Sequence, residues 1–212
     1  MVATTDRKAR MFDLTTGVME LVRDGNRSID EVCDVLQIIK DDSDFAARLL
    51  AKNSTTEWPI WRTLTIGGKT QKQLREELKR GGFRISDWAS DIMSKPAFTP
   101  LTEPREVKLV RVKVEDLGFT EMPMATQLYA RAKERGLKLC PAEVGPHLRL
   151  NFKDQPNNDW FWIAMEPITA SDGVPGVFAV ELGSGGLWLN AYYAYPESQW
   201  YLGDEIVFCL RK

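Results

Sequence analysis

Apolar residues recur at three- and four-residue steps through the first fifty positions and at every second position through much of the last hundred. The first pattern predicts helices and the second predicts strands with one face turned inward. Met11, Leu14, Val18, Leu21 and Val22 mark one helix, which Gly25-Asn26 ends. A second helix starts at Ser28, with Glu31 three residues on, so that the hydroxyl and the carboxylate each take a free backbone N–H of the first turn. Val32, Leu36 and Ile39 continue its apolar stripe, and Asp41, Asp42, Ser43 and Asp44 stop it and cap a short third helix through Phe45 and Leu49.

Residues 53–57 read as a polar linker, and TEWPIWRTLTIGG as a brief extended segment ending in a Gly-Gly turn. Thr70 with Gln73 caps a helix carrying Leu74 and Leu78 and closed by Gly81-Gly82; Ser86 opens another with Trp88 and Ile92. PAFTPLTEP is a proline-rich connection. EVKLVRVKV follows as a strand with one wet face, since Val110, Val112 and Val114 alternate with Arg111 and Lys113. Pro123 suits the start of a helix through Leu128, Tyr129 and Ala132, ended by Gly136. Strands are then predicted near 147–153, 160–168, 176–182, 187–193 and 205–210, divided by turn-forming loops. The fold class expected is α+β: an N-terminal helical region followed by a C-terminal antiparallel β-sheet, a meander, with one covering helix. The expected divisions are 1–54, a small mixed segment 55–104, and 105–212.

Composition narrows the chemistry. With 28 basic and 30 acidic side chains and 43% hydrophobic residues in a chain of 212, the protein is neither disordered nor a polybasic nucleic-acid binder. Twelve of its aromatic residues fall after position 150, and over residues 139–212 nine acidic side chains outnumber four basic ones. His147 is the one histidine, so nucleophilic triads, multi-histidine metal sites and histidine relays would all have to use it. Cys33, Cys140 and Cys209 are odd in number, widely separated and set among apolar neighbours, which predicts buried free thiols, no disulfide framework, no zinc site and a reducing cytoplasm. No apolar run marks a secretory signal or reaches the roughly 18 residues of a membrane span.

The segments WPIWRTLTIGGKT (58–70), FRISDWASDIMSKPAFT (83–99), VRVKVEDLGF (110–119), LKLCPAEVGPHLRLNFKDQP (137–156), WIAMEPITASDG (162–173) and GLWLNAYY (186–193) resemble a family of uncharacterised bacterial proteins from environmental genomes. The resemblance spans roughly residues 58–212. It implies a bacterial origin and brings with it no activity, cofactor or site residue.

Candidate binding residues come from two patterns. Lys72 and Arg75, with Lys69, Lys79, Arg80 and Arg84, form a basic helix that invites phosphate contacts, but four-residue spacing of Lys72, Glu76 and Arg80 equally predicts exposed ion pairs. Alternating aromatics in the C-terminal strands invite ring stacking; Trp160, Tyr193, Tyr195 and Trp200, lying near turns, are the ones expected to be exposed. The loop DQPNNDW resembles a lectin calcium loop in composition but precedes its strand, and reads as a hairpin loop. Glu143 and His147 are four apart, a spacing that aligns an acid and a base on a helix, yet Gly145-Pro146 argues against a helix there. Glu166, Asp172, Asp154 and Asp159 are the carboxylates from which a hydrolytic pair would have to come.

No catalytic, cofactor-binding or metal-ligating residue is therefore assigned. The function expected is that of a cytoplasmic, non-enzymatic binding or adaptor protein working through protein contacts, with self-association through the N-terminal helices and no tight nucleic-acid or membrane binding. The alternative is a carboxylate-based hydrolase of glycans or phosphodiesters.

Overall fold

The computed structural model describes residues 15–20, 22–25, 27–41 and 58–211. The chain divides into two compact units, Met1–Ser54 and Thr55–Lys212. In the first, residues 15–20 and 22–23 are helical and α1 spans Ile29–Asp41. The capping box is present: Glu31 N–H donates to Ser28 Oγ (3.0 Å), and Ser28 N–H donates to the Glu31 carboxylate (3.2 Å). Met11, Leu14, Leu21, the third helix through Phe45 and Leu49, and the 53–57 linker lie outside the described residues. Val18, Val35 and Leu36 are exposed. Cys33 is exposed as well, contrary to the expected buried thiol, because it lies off the Val32 side of α1.

The second unit is built on one nine-stranded sheet. Its elements are β1 (Arg62–Ile66), α2 (Gln71–Arg80), β2 (Arg84–Ile85), α3 (Asp87–Ser94), β3 (Arg105–Lys113), α4 (Ala125–Glu134), β4 (Leu137–Lys138), α5 (Val144–Asn151), β5 (Trp160–Ile163), β6 (Ile168–Thr169), β7 (Pro175–Gly183), β8 (Gly186–Tyr193) and β9 (Glu205–Leu210). Strand order is β1-β3-β9-β5-β7-β8-β2, with β4 also on β9 and β6 on β7. Most neighbours are antiparallel, but β5 runs parallel to β9 and β2 parallel to β8. The sheet is thus mixed, and the expected simple antiparallel meander is corrected. Only β7 and β8 form a tight hairpin, across Gly183 and Gly186. The central partners β3, β9 and β5 come from distant parts of the chain, and a periodic pattern does not encode which strand lies beside which.

Helices cover both faces, which corrects the expectation of one covering helix. On one face Leu74 and Leu78 of α2, Ala89, Ile92 and Met93 of α3, and Val144 and Leu148 of α5 pack against Leu109, Phe161, Phe178, Val180, Leu189 and Val207. On the other, Ala125, Leu128 and Ala132 of α4 pack against Val110, Val112, Ile206 and Phe208. The predicted caps hold α2: Gln73 N–H donates to Thr70 Oγ1 and the Gln73 side chain accepts from Thr70 N–H. Ser86 Oγ likewise accepts from Ala89 N–H at the start of α3.

Residues 147–153, expected as a strand, belong instead to α5 and its end. Pro146 is the third residue of that helix, where the missing N–H has no intrahelical acceptor to lose. The helical bonds begin immediately after it, with His147 N–H donating to Glu143 O (3.1 Å). Gly145 allows the close seat of this turn, since a Cβ there would meet the Phe178 ring at 2.8 Å.

Candidate functional site: an uncovered aromatic face of the sheet

α4 covers the half of its face made by β3, β9 and β4. Over the other half, formed by β5, β7 and β8, the second unit places the loop residue Trp200 but no described helix of that apolar cluster. Strand alternation puts Trp160 and Trp162 of β5, Glu181 of β7, and Trp188, Asn190 and Tyr192 of β8 on that side. Arg84 of the parallel edge strand β2 lies beside Trp188, its guanidinium 5.3 Å from the ring centre.

The rings interlock edge to face rather than lying flat. Trp162 is the hub, with ring centres 4.9 Å from Trp200, 5.3 Å from Tyr192 and 5.6 Å from Trp160. Trp200 reaches the cluster from the segment before β9, whose backbone is held by Trp200 N–H donating to Pro123 O (3.0 Å). Beside the rings lies a polar network. Tyr192 Oη donates to Glu181 Oε2 (3.0 Å), and Asn190 Nδ2 donates to Glu181 Oε1 (3.0 Å) and to Tyr192 Oη (3.1 Å). Burial and the adjacent Glu181 charge push the Tyr192 phenol up to about 12. Glu181 is therefore a carboxylate fixed by a phenol and an amide, and Tyr192 stays a neutral donor at physiological pH. The indole N–H groups of Trp162 and Trp200 are buried without an acceptor among the described residues. A buried donor left unmade costs about 1–3 kcal/mol.

The four aromatic candidates are divided between two places. Trp160 is 41% exposed on the rim of the cluster, whereas Trp200 is only 4% exposed and forms its floor. Tyr193 and Tyr195 are both exposed but sit on the opposite side of β8 and just beyond it, ring centres 6.2 Å apart, where Tyr193 and Trp88 of α3 line a small apolar crevice. Glu181, Asn190 and Tyr192 were missed as a network; a glutamate inside the apolar run of β7 was the signal for it.

Lys72 and Arg75 lie on α2 at a shallow surface cavity of about 520 Å³ that also carries Asp87 and Asp91. Lys72 is exposed, 3.9 Å from Glu76. Arg75 Nη1 donates to Ser90 Oγ (2.7 Å) and Nη2 to Ser90 O, which ties α2 to α3. Asp91, held down to about 2 by accepting from Ser171 and Lys95, keeps a fixed negative charge at this place.

The carboxylates proposed for hydrolysis are dispersed. Asp159 is bound by both Nη atoms of Arg111, whose Nε holds Glu205; this half-buried trio is an ion network with no free acid. Asp154 is exposed, 3.4 Å from Arg62. Asp172 caps its own turn by accepting from Val174 N–H (3.0 Å). In the 154–159 loop, Gln155 is buried and donates to Asp159 O (2.9 Å) and Val180 O (3.3 Å), a backbone staple in place of a metal loop. Among the described residues, no three His, Cys, Asp or Glu side chains are gathered as metal ligands, and no helix is long and apolar enough to cross a membrane.

Searches with protein-family models, curated proteins and solved structures each returned no match. The resemblance to the bacterial family rests on the quoted segments alone.

Proposed function

We propose that the protein acts by binding rather than by catalysis, and that the uncovered face of β5, β7 and β8 takes a polyhydroxylated ligand, a glycan. One observation carries this reading: the exposed Trp160 ring, 6.4 Å from the Tyr192 ring and cross-strand from Glu181, adjoins a network in which Glu181, Asn190 and Tyr192 are already oriented by one another. An aromatic ring offers a stacking surface to sugar C–H groups, and a fixed carboxylate and amide offer paired acceptors and donors to hydroxyls. Hydrolysis is disfavoured because Glu181 has no second carboxylate in its network and Asp159 is taken up by Arg111.

The test is affinity electrophoresis and tryptophan fluorescence against a panel of soluble polysaccharides. Binding is expected to weaken at least about tenfold in Trp160→Ala, the scale of an aromatic anchor, with the melting temperature unchanged. Equal binding by that variant, or no binding to any polysaccharide at millimolar concentration, overturns the reading. Release of reducing ends would favour the hydrolase instead.

A second reading, contact with a protein partner or a second copy, is supported by the separate exposed group of Trp88, Tyr193 and Tyr195 and by the exposed Ile29, Val35 and Leu36 of α1. Light scattering across a hundredfold range of concentration tests it: a constant monomer mass removes self-association. We place the protein in the cytoplasm of a bacterium, supported by its free thiols and by the family resemblance.

A further inference from the structure

Cys140 and Cys209 are 69 residues apart in the chain, yet their Sγ atoms are 3.3 Å apart in the core. Two antiparallel elements bring them together. Lys138 of β4 pairs with Cys209 of β9, and two residues later Cys140 N–H donates to Ala164 O (2.6 Å), which turns its side chain inward. Both thiols are buried, Cys140 at 4% and Cys209 at 1% exposure, and it is Cys209 that lies at the wall of a cavity of about 310 Å³. Arg105, Lys108, Lys138 and Arg211 line that cavity against a single acid, Glu106.

We infer that Cys140 and Cys209 form an oxidisable dithiol site for small hydroperoxides, with Cys209 as the attacking sulfur and Cys140 as the sulfur that resolves it. Four cations around one opening favour an anionic sulfur and the anion that leaves it. The direction of ionisation agrees with the division of roles: the hydrogen bond with Cys140 and the charges of Lys138 and Arg105 bring the Cys209 thiol below its ordinary value against its burial, whereas burial pushes the Cys140 thiol up.

The chemistry balances in two steps. The Cys209 thiolate attacks the terminal peroxide oxygen; an S–O bond forms, the O–O bond breaks, and the leaving alkoxide or hydroxide takes a proton from solvent. Cys140 sulfur then attacks the Cys209 sulfenic acid; the S–S bond forms, the S–O bond breaks, and the departing hydroxide takes the Cys140 proton as water. Two thiols and one hydroperoxide thus give one disulfide, one alcohol or water, and one further water. Closure needs the sulfurs to approach from 3.3 Å to about 2.05 Å. A disulfide here would join β9 covalently to the segment after β4, fastening the middle of the sheet.

Reduced full-length protein treated with hydrogen peroxide and mapped by mass spectrometry without reductant tests this, with exposed Cys33 as an internal reference. The expected result is a cross-linked pair of peptides containing Cys140 and Cys209, reversed by dithiothreitol, formed faster than Cys33 is oxidised. In Cys140→Ser, Cys209 should stop at a sulfenic acid trapped by dimedone; in Cys209→Ser, Cys140 should stay a thiol. Arg105→Ala with Lys138→Ala should slow the reaction about threefold, because losing the two cations lowers the thiolate share by more than the greater basicity returns as nucleophilicity. Free Cys140 and Cys209 after Cys33 is consumed, or Cys209 oxidised beyond sulfenic acid with no cross-link in the wild-type chain, overturns the inference.

Discussion

The Glu143 carboxylate lies 3.3 Å from His147 Nε2, one turn along α5, with both side chains buried. The same carboxylate accepts from Gly67 N–H (3.0 Å) and Leu101 N–H (2.9 Å), so one side chain fastens two loops that flank β1 and β3. Gly67 adopts a left-handed φ of +85° there, and a Cβ would strike the Glu103 carbonyl at 2.3 Å. This acid and base are a structural clasp. His147 Nε2 lies within ion-pair reach of that carboxylate and has no other partner among the described residues.

Acid should release that clasp. Burial works against the Glu143 charge, but His147 and the amides of Leu101 and Gly67 together hold its carboxyl below the usual value. A group whose folded pKa is depressed contributes stability that is present above its unfolded value, near 4.5, and is lost as pH falls through the folded value. Urea midpoints should therefore fall on acidification below about pH 4.5. Glu143→Gln should flatten part of that dependence and lose about 1–3 kcal/mol at pH 7, because its amide N–H₂ cannot accept from a backbone N–H. An unchanged acid profile in the variant would remove Glu143 from the account.

Gly145→Ala should be destabilising although the residue is helical. Alanine favours a helix by about 1 kcal/mol over glycine, but its Cβ would meet three atoms of Phe178 at 2.8–2.9 Å. Overpacking wins at about 2 kcal/mol net loss. Phe178→Leu in the same chain should recover part of it, an interaction read from a double-mutant cycle in thermal denaturation. Additive losses would show that the ring is not what resists.

Arg149 is fully buried on α5, behind the aromatic face. Nη2 donates to Phe152 O, and Nη1 to Gln155 Oε1 and to Glu181 O (3.4 Å). Burial lowers its guanidinium to about 10, partly offset by Asp159, so it remains a cation at neutral pH. Arg149→Ala should cost about 4 kcal/mol through a cavity and unpaired acceptors. Arg149→Met, which keeps the length and removes the buried charge, should cost about half as much. Urea midpoints at constant m decide between them, and a Met variant as stable as wild type would mean that the charge costs as much as its bonds return.

Local signals were legible where one segment decides its own structure. The caps at Ser28, Thr70 and Ser86 and the alternation in β3 and β8 are short-range facts, and the structure repeats them. α5 was misread because His147-Leu148-Arg149-Leu150 alternates like a strand and Gly-Pro resembles a break. The proline falls in the first turn, where it breaks nothing, and the polar residues that imitate a wet face, His147 and Arg149, are buried. The candidate site was half legible. Trp160 could be placed near a turn, but its grouping with Glu181, Tyr192 and Trp200 depends on a sheet order that joins distant segments. No spacing foretold that Cys140 and Cys209 would touch.

Residues 55–212 should fold without the first unit. Among the described residues, both apolar clusters are made wholly of side chains from Trp58 onward, and every strand of the sheet lies between Arg62 and Leu210. The chain also divides between Ser54 and Thr55. Such a fragment is long enough to sustain its own core. The expected outcome for 55–212 is a cooperative urea transition, the near-ultraviolet dichroism of packed tryptophans, and stability within about 1 kcal/mol of the same transition in the full chain. Binding at the aromatic face should persist in the fragment, while any self-association carried by α1 should vanish. If instead the fragment aggregates or loses its near-ultraviolet signal while the full chain stays monomeric and folded, residues 1–54 are part of the core, and a module that merely binds partners through its exposed stripes is ruled out.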